Sequence, residues 1–204
     1  CEVEYEEQTP AVTVRGPGGH DTGGAEATQG TGGTGADGGE EPARRALAGG
    51  TFDLNAIPDA LPALAATACY AAEPVELGNV PQARAKETDR VAVMAAELGK
   101  MGAHIEELED GLRVYPPRAR GQTTGDRAAA QGGTPSHPAT PLTGTRVDGH
   151  GDHRVVMALA VAALGAAGET TIEGAEAAAI TFPGFFEALA ALGAEVTDEA
   201  GAAR

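Results

Sequence analysis

Three charged segments carry residue types that can do chemistry. The run Arg84-Ala-Lys-Glu-Thr-Asp-Arg90 gathers cations and carboxylates within one short stretch. At the start of a helix expected to reach about Lys100, it sets Lys86 and Arg90 four apart on one face with Glu87 beside them. Cations in a first turn oppose the helix dipole, and the chain has no lysines besides Lys86 and Lys100. An anionic ligand would explain the pattern. An ordinary surface cluster, with Glu87 and Asp89 neutralising the cations, explains it equally.

The second segment, Asp148-Gly-His-Gly-Asp-His-Arg154, leads into an apolar helical pattern from Val155. Its glycines predict a tight polar turn whose amides, with Arg154, could hold a phosphate or carboxylate. His150, Asp152 and His153 are metal-ligand types, but adjacent residues seldom converge on one ion and no second His or Cys cluster completes a shell. The third candidate is Asp59, after Pro58 at a predicted helix start. By position alone it reads first as a cap.

The elements that must position these residues lie around two low-complexity stretches. Residues 16–50 are Gly-rich, residues 116–141 are rich in Pro, Gly and Thr, and both read as flexible insertions. Residues 1–15 read as the strand-forming start of a truncated unit, with strands at 1–5 and 11–15. Residues 51–115 and 142–204 then form two copies of one unit. Ala63-Leu-Ala-Ala aligns without a gap on Ala158-Leu-Ala-Val, and Met101-Gly-Ala-His on Leu192-Gly-Ala-Glu. Asp110-Gly111 marks a hairpin in the first copy. The pattern is strand, helix, strand, helix, strand, strand, an α/β class with helices against a sheet. In this alignment Asp59 and Arg154 both stand where the copy's first helix begins. Asp59, Lys86, Glu87, Arg90, Asp152, His153 and Arg154 are therefore expected on one side, cations for a doubly anionic ligand with carboxylates for proton transfer.

Composition narrows the function classes. Thirty acidic against 14 basic residues give a net charge of −16, which disfavours nucleic acid or an anionic membrane as partner. An acidic, lysine-poor chain suits solvation in concentrated salt, and a halophilic source is expected. Aromatics are 3% and Trp is absent, so cohesion must come from small and medium side chains. Cys1 and Cys69 make no disulfide framework, and no signal peptide or bilayer-length apolar run is read. A cytoplasmic location is expected. Because the sequence opens with Cys in a strand-like pattern, an internal fragment is expected too.

Asn55-Ala-Ile-Pro-Asp-Ala60, Lys86-Glu-Thr-Asp-Arg90, Asp148-Gly-His-Gly-Asp-His-Arg154 and Thr181-Phe-Pro-Gly-Phe-Phe186, in this order, resemble the C-terminal part of the 5-enolpyruvylshikimate-3-phosphate synthase family. The resemblance implies a fold of repeated βαβαββ units (the inside-out α/β barrel of the enolpyruvyl transferases), present here in part. It implies transfer of the enolpyruvyl group of phosphoenolpyruvate to the 5-hydroxyl of shikimate 3-phosphate, releasing phosphate, with no cofactor and no metal. Carried over by motif, Asp59 is the proton acceptor at that hydroxyl, Lys86 contacts the same hydroxyl and the intermediate, and Glu87 moves a proton at the methylene carbon. Arg90 and Arg154 grip phosphoenolpyruvate with Asp152 and His153 in support, and Gln82 touches the shikimate ligand. Ile180 stands where many members have Lys. The missing N-terminal part of the same enzyme is an expected partner, the whole is expected to be a monomer, and the isolated fragment is expected to be inactive. UDP-N-acetylglucosamine enolpyruvyl transferase is the nearest enzyme alternative, and a non-catalytic remnant or one piece of a split enzyme the alternative of another class.

Overall fold

Short β-branched runs and Ala-rich amphipathic runs alternate along the chain and fold as strands and helices in the same alternation. The computed structural model describes residues 11–16, 47–116 and 142–198. The strand expected at 1–5 and nearly all of the two predicted insertions lie outside the described residues.

The chain runs β1 (Ala11–Arg15), β2 (Gly50–Asp53), α1 (Leu61–Ala68), β3 (Val75–Gly78), α2 (Arg90–Lys100), β4 (His104–Leu108), β5 (Gly111–Tyr115), β6 (Arg146–Asp148), α3 (His153–Ala163), β7 (Thr170–Glu173), α4 (Phe185–Ala191) and β8 (Glu195–Asp198). Three 3-10 turns, Pro58–Ala60, Pro81–Ala85 and Ala175–Ile180, interrupt the connections. In the first sheet the order is β2-β3-β5-β4. β2 and β3 are parallel, as a right-handed crossover through α1 requires, and β5 is antiparallel to both of its neighbours.

The second sheet repeats that plan with one exchange. Its order is β6-β7-β1-β8, so β1 occupies the place that β5 takes in the first sheet. β1 is antiparallel to β7 on one side, Val12 facing Ile172, and to β8 on the other, Val14 facing Val196. Val12 and Val14 are buried and Thr13 is turned to the other face, the period-2 alternation of a sheet with one covered side.

A single hydrophobic cluster joins the two units. At its centre α1 packs on α3, where Ala65, Ala66, Ala158 and Ala162 are buried. Side chains this small let the helix backbones approach closely. The Tyr70 hydroxyl crosses the contact to donate to the Ala162 carbonyl, 2.5 Å away. A Cβ on Gly165 would stand 2.7 Å from that ring, so glycine is required there. Leu61, Leu77, Met94 and Leu98 are fully buried around the helix pair, each stabilising by about 1.5–3 kcal/mol. Among the described residues no helix is long and apolar enough to cross a membrane.

Candidate active site

The charged segments meet where α1, α2 and α3 begin. Asp59 lies in the 3-10 turn ahead of α1 and makes no capping hydrogen bond to it. The cap expected from its position is thus replaced by an ionic role. One carboxylate oxygen lies 2.9 Å from Arg90 Nη1 and 3.3 Å from Lys86 Nζ, and the other 3.1 Å from Arg154 Nη2. Partial burial opposes ionisation of Asp59, but Lys86, Arg154 and Arg90 together hold its carboxyl below the usual range.

Lys86 reaches this point differently from the expectation. Pro81–Ala85 forms a 3-10 turn, Lys86 is extended at φ −101° and ψ −153°, and α2 begins only at Arg90. The cause is Asp89, whose side chain accepts from the Ala92 amide and so defines the helix start. Lys86 and Glu87 therefore sit in a bend ahead of the helix. Arg84 is drawn out of the cluster altogether. It donates to the carbonyls of Glu109 and Leu108 and pairs with Asp89 and Glu107, tying the β4–β5 turn to the α2 cap.

Arg90 is the hub. Its side chain is 1% exposed and forms two hydrogen bonds to Asp152 (2.7 and 3.2 Å), one to Asp59 and one to Glu87 at 2.7 Å. A guanidinium suits this work because its planar fork meets a carboxylate bidentately and stays charged when buried. Asp152 is fully buried, and its oxygens also accept from the Arg154 and Val155 amides, capping α3. Burial alone would raise the Asp152 carboxyl; the Arg90 guanidinium and the helix amides pull it below its ordinary value.

His153 is buried beside this cap, and its Nε2 has no partner among the described residues. Gln82 donates from Nε2 to the Asn55 carbonyl and side-chain oxygen, 3.1 and 3.3 Å away. Asp59, Lys86, Glu87, Arg90, Asp152 and Arg154 thus form one connected network, with Gln82 bonded instead to the Asn55 loop. Ile180 is 70% exposed at the end of its 3-10 turn. A cleft of about 430 Å³ beside it, lined by Phe182, Phe185 and Glu187 among others, includes none of the network residues. No group of three or more His, Cys, Asp or Glu among the described residues could hold a metal ion.

Sequence reasoning missed Glu97 and His150 as structural partners. Glu97 is almost fully buried in α2 and accepts from the Asp148 amide, lies 2.9 Å from His150 Nε2 and binds Lys100 Nζ with both oxygens. In sequence it stands between Ala96 and Leu98 near Lys100 and resembles any solvated helix glutamate.

The arrangement can hold an anion among Lys86, Arg90 and Arg154 and move protons through Asp59 and Glu87. Known proteins similar to this chain identify its family. The family model described as EPSP synthase (3-phosphoshikimate 1-carboxyvinyltransferase) matches residues 22–189. Proteins named 3-phosphoshikimate 1-carboxyvinyltransferase are similar to this chain: that of Acetivibrio thermocellus is 47% identical over 151 residues, covering 74% of this chain and 30% of the relative. That of Halobacterium salinarum is 43% identical over 152 residues, covering 74% and 30%. In structure, the EPSP synthase of Acinetobacter baumannii superimposes with a TM-score of 0.58 at 30% identity, covering 74% of this chain and 32% of that one. The chain spans about 30% of the length of the curated relatives it matches. With four motifs, the repeated βαβαββ plan and these likenesses in agreement, the chain belongs to the EPSP synthase (3-phosphoshikimate 1-carboxyvinyltransferase) family.

Proposed function

We propose that this chain supplies part of the active site for enolpyruvyl transfer from phosphoenolpyruvate to the 5-hydroxyl of shikimate 3-phosphate. The observation that carries the reading is Asp59 surrounded by Lys86, Arg90 and Arg154, with Glu87 on the same guanidinium. Arg154 and Arg90 hold the phosphoenolpyruvate anion, each through the guanidinium nitrogen now paired with Asp59. As the anion enters it competes with Asp59 for these cations, and the freed carboxylate becomes the better base.

Asp59 then takes the proton of the 5-hydroxyl while the oxygen bonds to the central carbon of phosphoenolpyruvate. Glu87 delivers a proton to the methylene carbon, giving a tetrahedral intermediate whose charge Lys86 and the arginines offset. Glu87, left ionised, takes a proton back from the new methyl group as the carbon–oxygen bond to phosphate breaks. The departing phosphate takes the proton held by Asp59, so that the enol ether forms and both carboxyls return to their starting states. Asp152 keeps Arg90 in place, His153 lies beside that cap, and Gln82 contributes to the shikimate side. The remainder of the enzyme supplies the other face of the cleft and completes the grip on the shikimate phosphate. The protein works away from nucleic acid and membranes, in the cytoplasm and as a monomer.

The test is phosphate release by the longest natural form containing this chain. Release that requires both phosphoenolpyruvate and shikimate 3-phosphate is expected. Release with UDP-N-acetylglucosamine as acceptor would overturn the substrate assignment. No release and no ligand protection would identify a non-catalytic remnant.

A further inference from the structure

α2 holds the turn between β6 and α3 at two separate points. Near its start Arg90 binds Asp152 at the end of the turn. Two helical turns later Glu97 binds its beginning, accepting from the Asp148 amide at 3.0 Å and meeting His150 Nε2 at 2.9 Å. The first contact belongs to the charge network described above. The second lies outside it and touches none of Asp59, Lys86, Glu87 or Arg154.

Several features make this second contact costly without compensation. Glu97 is 2% exposed in the middle of a helix, and a buried carboxylate is unfavourable unless each oxygen is paired. An apolar residue of similar volume would commonly serve stability as well. His150 has φ +50° and is followed by Gly151 at φ +67°, a left-handed conformation uncommon outside glycine that His adopts more readily than most side chains. The backbone is held there by Asp148, whose Oδ1 accepts from the His150 amide at 2.7 Å, and the ring is held by Glu97. His150 is thus bonded to Glu97 from α2 and Asp148 from its own turn, with Lys100 held on the same Glu97 carboxylate. With Glu97 and Asp148 fixing His150, the chain is delivered to Asp152 and Arg154 in one geometry.

We propose that Glu97 and His150 are positioning residues for the anion grip: they fix the β6–α3 turn from behind, and so the direction from which Arg154 reaches the anion, without touching the ligand. The proposal rests on the reading of Arg154 as an anion-binding residue.

Two variants and two readouts test it. His150→Gly keeps a backbone that tolerates positive φ and removes the ring, while Glu97→Gln keeps the shape and removes the charge. Amide hydrogen exchange over residues 148–154 is measured without ligand, and phosphoenolpyruvate binding is followed through the Arg154 side-chain NMR signal. Both variants are expected to speed exchange in that turn and to weaken phosphoenolpyruvate about tenfold, with the affinity loss exceeding any loss in thermal stability. The double variant should be no worse than the worse single one, because both act through one contact. Unchanged exchange in the turn would overturn the proposal, as would faster exchange with unchanged affinity. All measurements use the longest natural form containing this chain, and its failure, unsubstituted, to bind phosphoenolpyruvate at Arg154 would overturn the proposed function first, and the anion-positioning role with it.

Discussion

Arg154 Nη2 lies 3.1 Å from Asp59 Oδ2, an ion pair between the points where the first helices of the two repeated units begin. The two units are thereby joined at equivalent positions by opposite charges. In the proposed reading these two equivalent helix starts supply a base and an anion grip. Both partners are partly exposed, so the pair contributes little to folding and is free to open for a ligand.

Asp59→Asn is accordingly expected to change stability by less than about 1 kcal/mol. In the intact enzyme it should lower turnover by about 10²–10⁴-fold, the usual worth of a positioned base. Thermal denaturation measured beside phosphate release separates the two effects, and a large loss of stability with modest loss of turnover would sink the assignment.

Asp152→Asn should behave in the opposite way. The amide preserves an oxygen for the α3 cap but leaves Arg90, 1% exposed, without its buried counter-charge. A loss of about 3–5 kcal/mol is expected in urea denaturation. Adding Arg90→Met to the same chain should cost less than the sum of the single losses, and strict additivity would show that the two side chains are not coupled.

Acid should unfold the protein through the same groups. Asp152, Glu97 and Asp59 all have carboxyls held below their ordinary values, each against the opposing effect of burial, by Arg90, by His150 with Lys100, and by Lys86 with Arg154 respectively. A carboxyl depressed in the folded state adds stability above its unfolded pKa and loses it as pH falls through the folded one. Stability should therefore be flat near neutrality and fall from about pH 4 downward. Glu97→Gln and Asp152→Asn should each flatten that acid limb in pH-dependent urea titrations, and an unchanged limb in both would count against these groups as its source.

Salt should have the reverse effect on the chain as a whole. A net charge of −16 repels itself at low ionic strength and is screened within about 3 Å at 1 M salt. The melting temperature is expected to rise between dilute buffer and molar KCl, in keeping with a halophilic source. A fall would mean that ion pairs such as Arg15–Glu169 and Arg146–Glu173 outweigh the general repulsion.

The residue types of the network were legible because charge at a helix start is unusual enough to stand out against Ala and Gly. Their geometry was less so. Lys86 and Arg90 share a partner across an extended bend, since Asp89 caps the helix at Arg90 and leaves Lys86 and Glu87 between it and the preceding 3-10 turn. Arg84 stood in the same charged run without an assigned partner and is committed to carbonyls of a hairpin turn that only folding brings near. Glu97 was hidden for a similar reason: its partners come from residues 148 and 150, and no periodicity in α2 announces them. Over the described residues the alternation of strands and helices was readable, because period 2 and period 3.6 are local properties.

The least local feature is β1, whose Thr13 hydroxyl meets that of Thr171 across a separation of 158 residues. The first sheet closes on contacts between neighbours in sequence. The second cannot close until a strand near one end of this chain finds strands near the other. Loop closure over that distance is paid before any ladder hydrogen bond forms. During synthesis β1 is made well before its partners β7 and β8 have left the ribosome. The first sheet is therefore expected to form before the second, which pulse-labelled hydrogen exchange would show as late protection at Val12 and Val14.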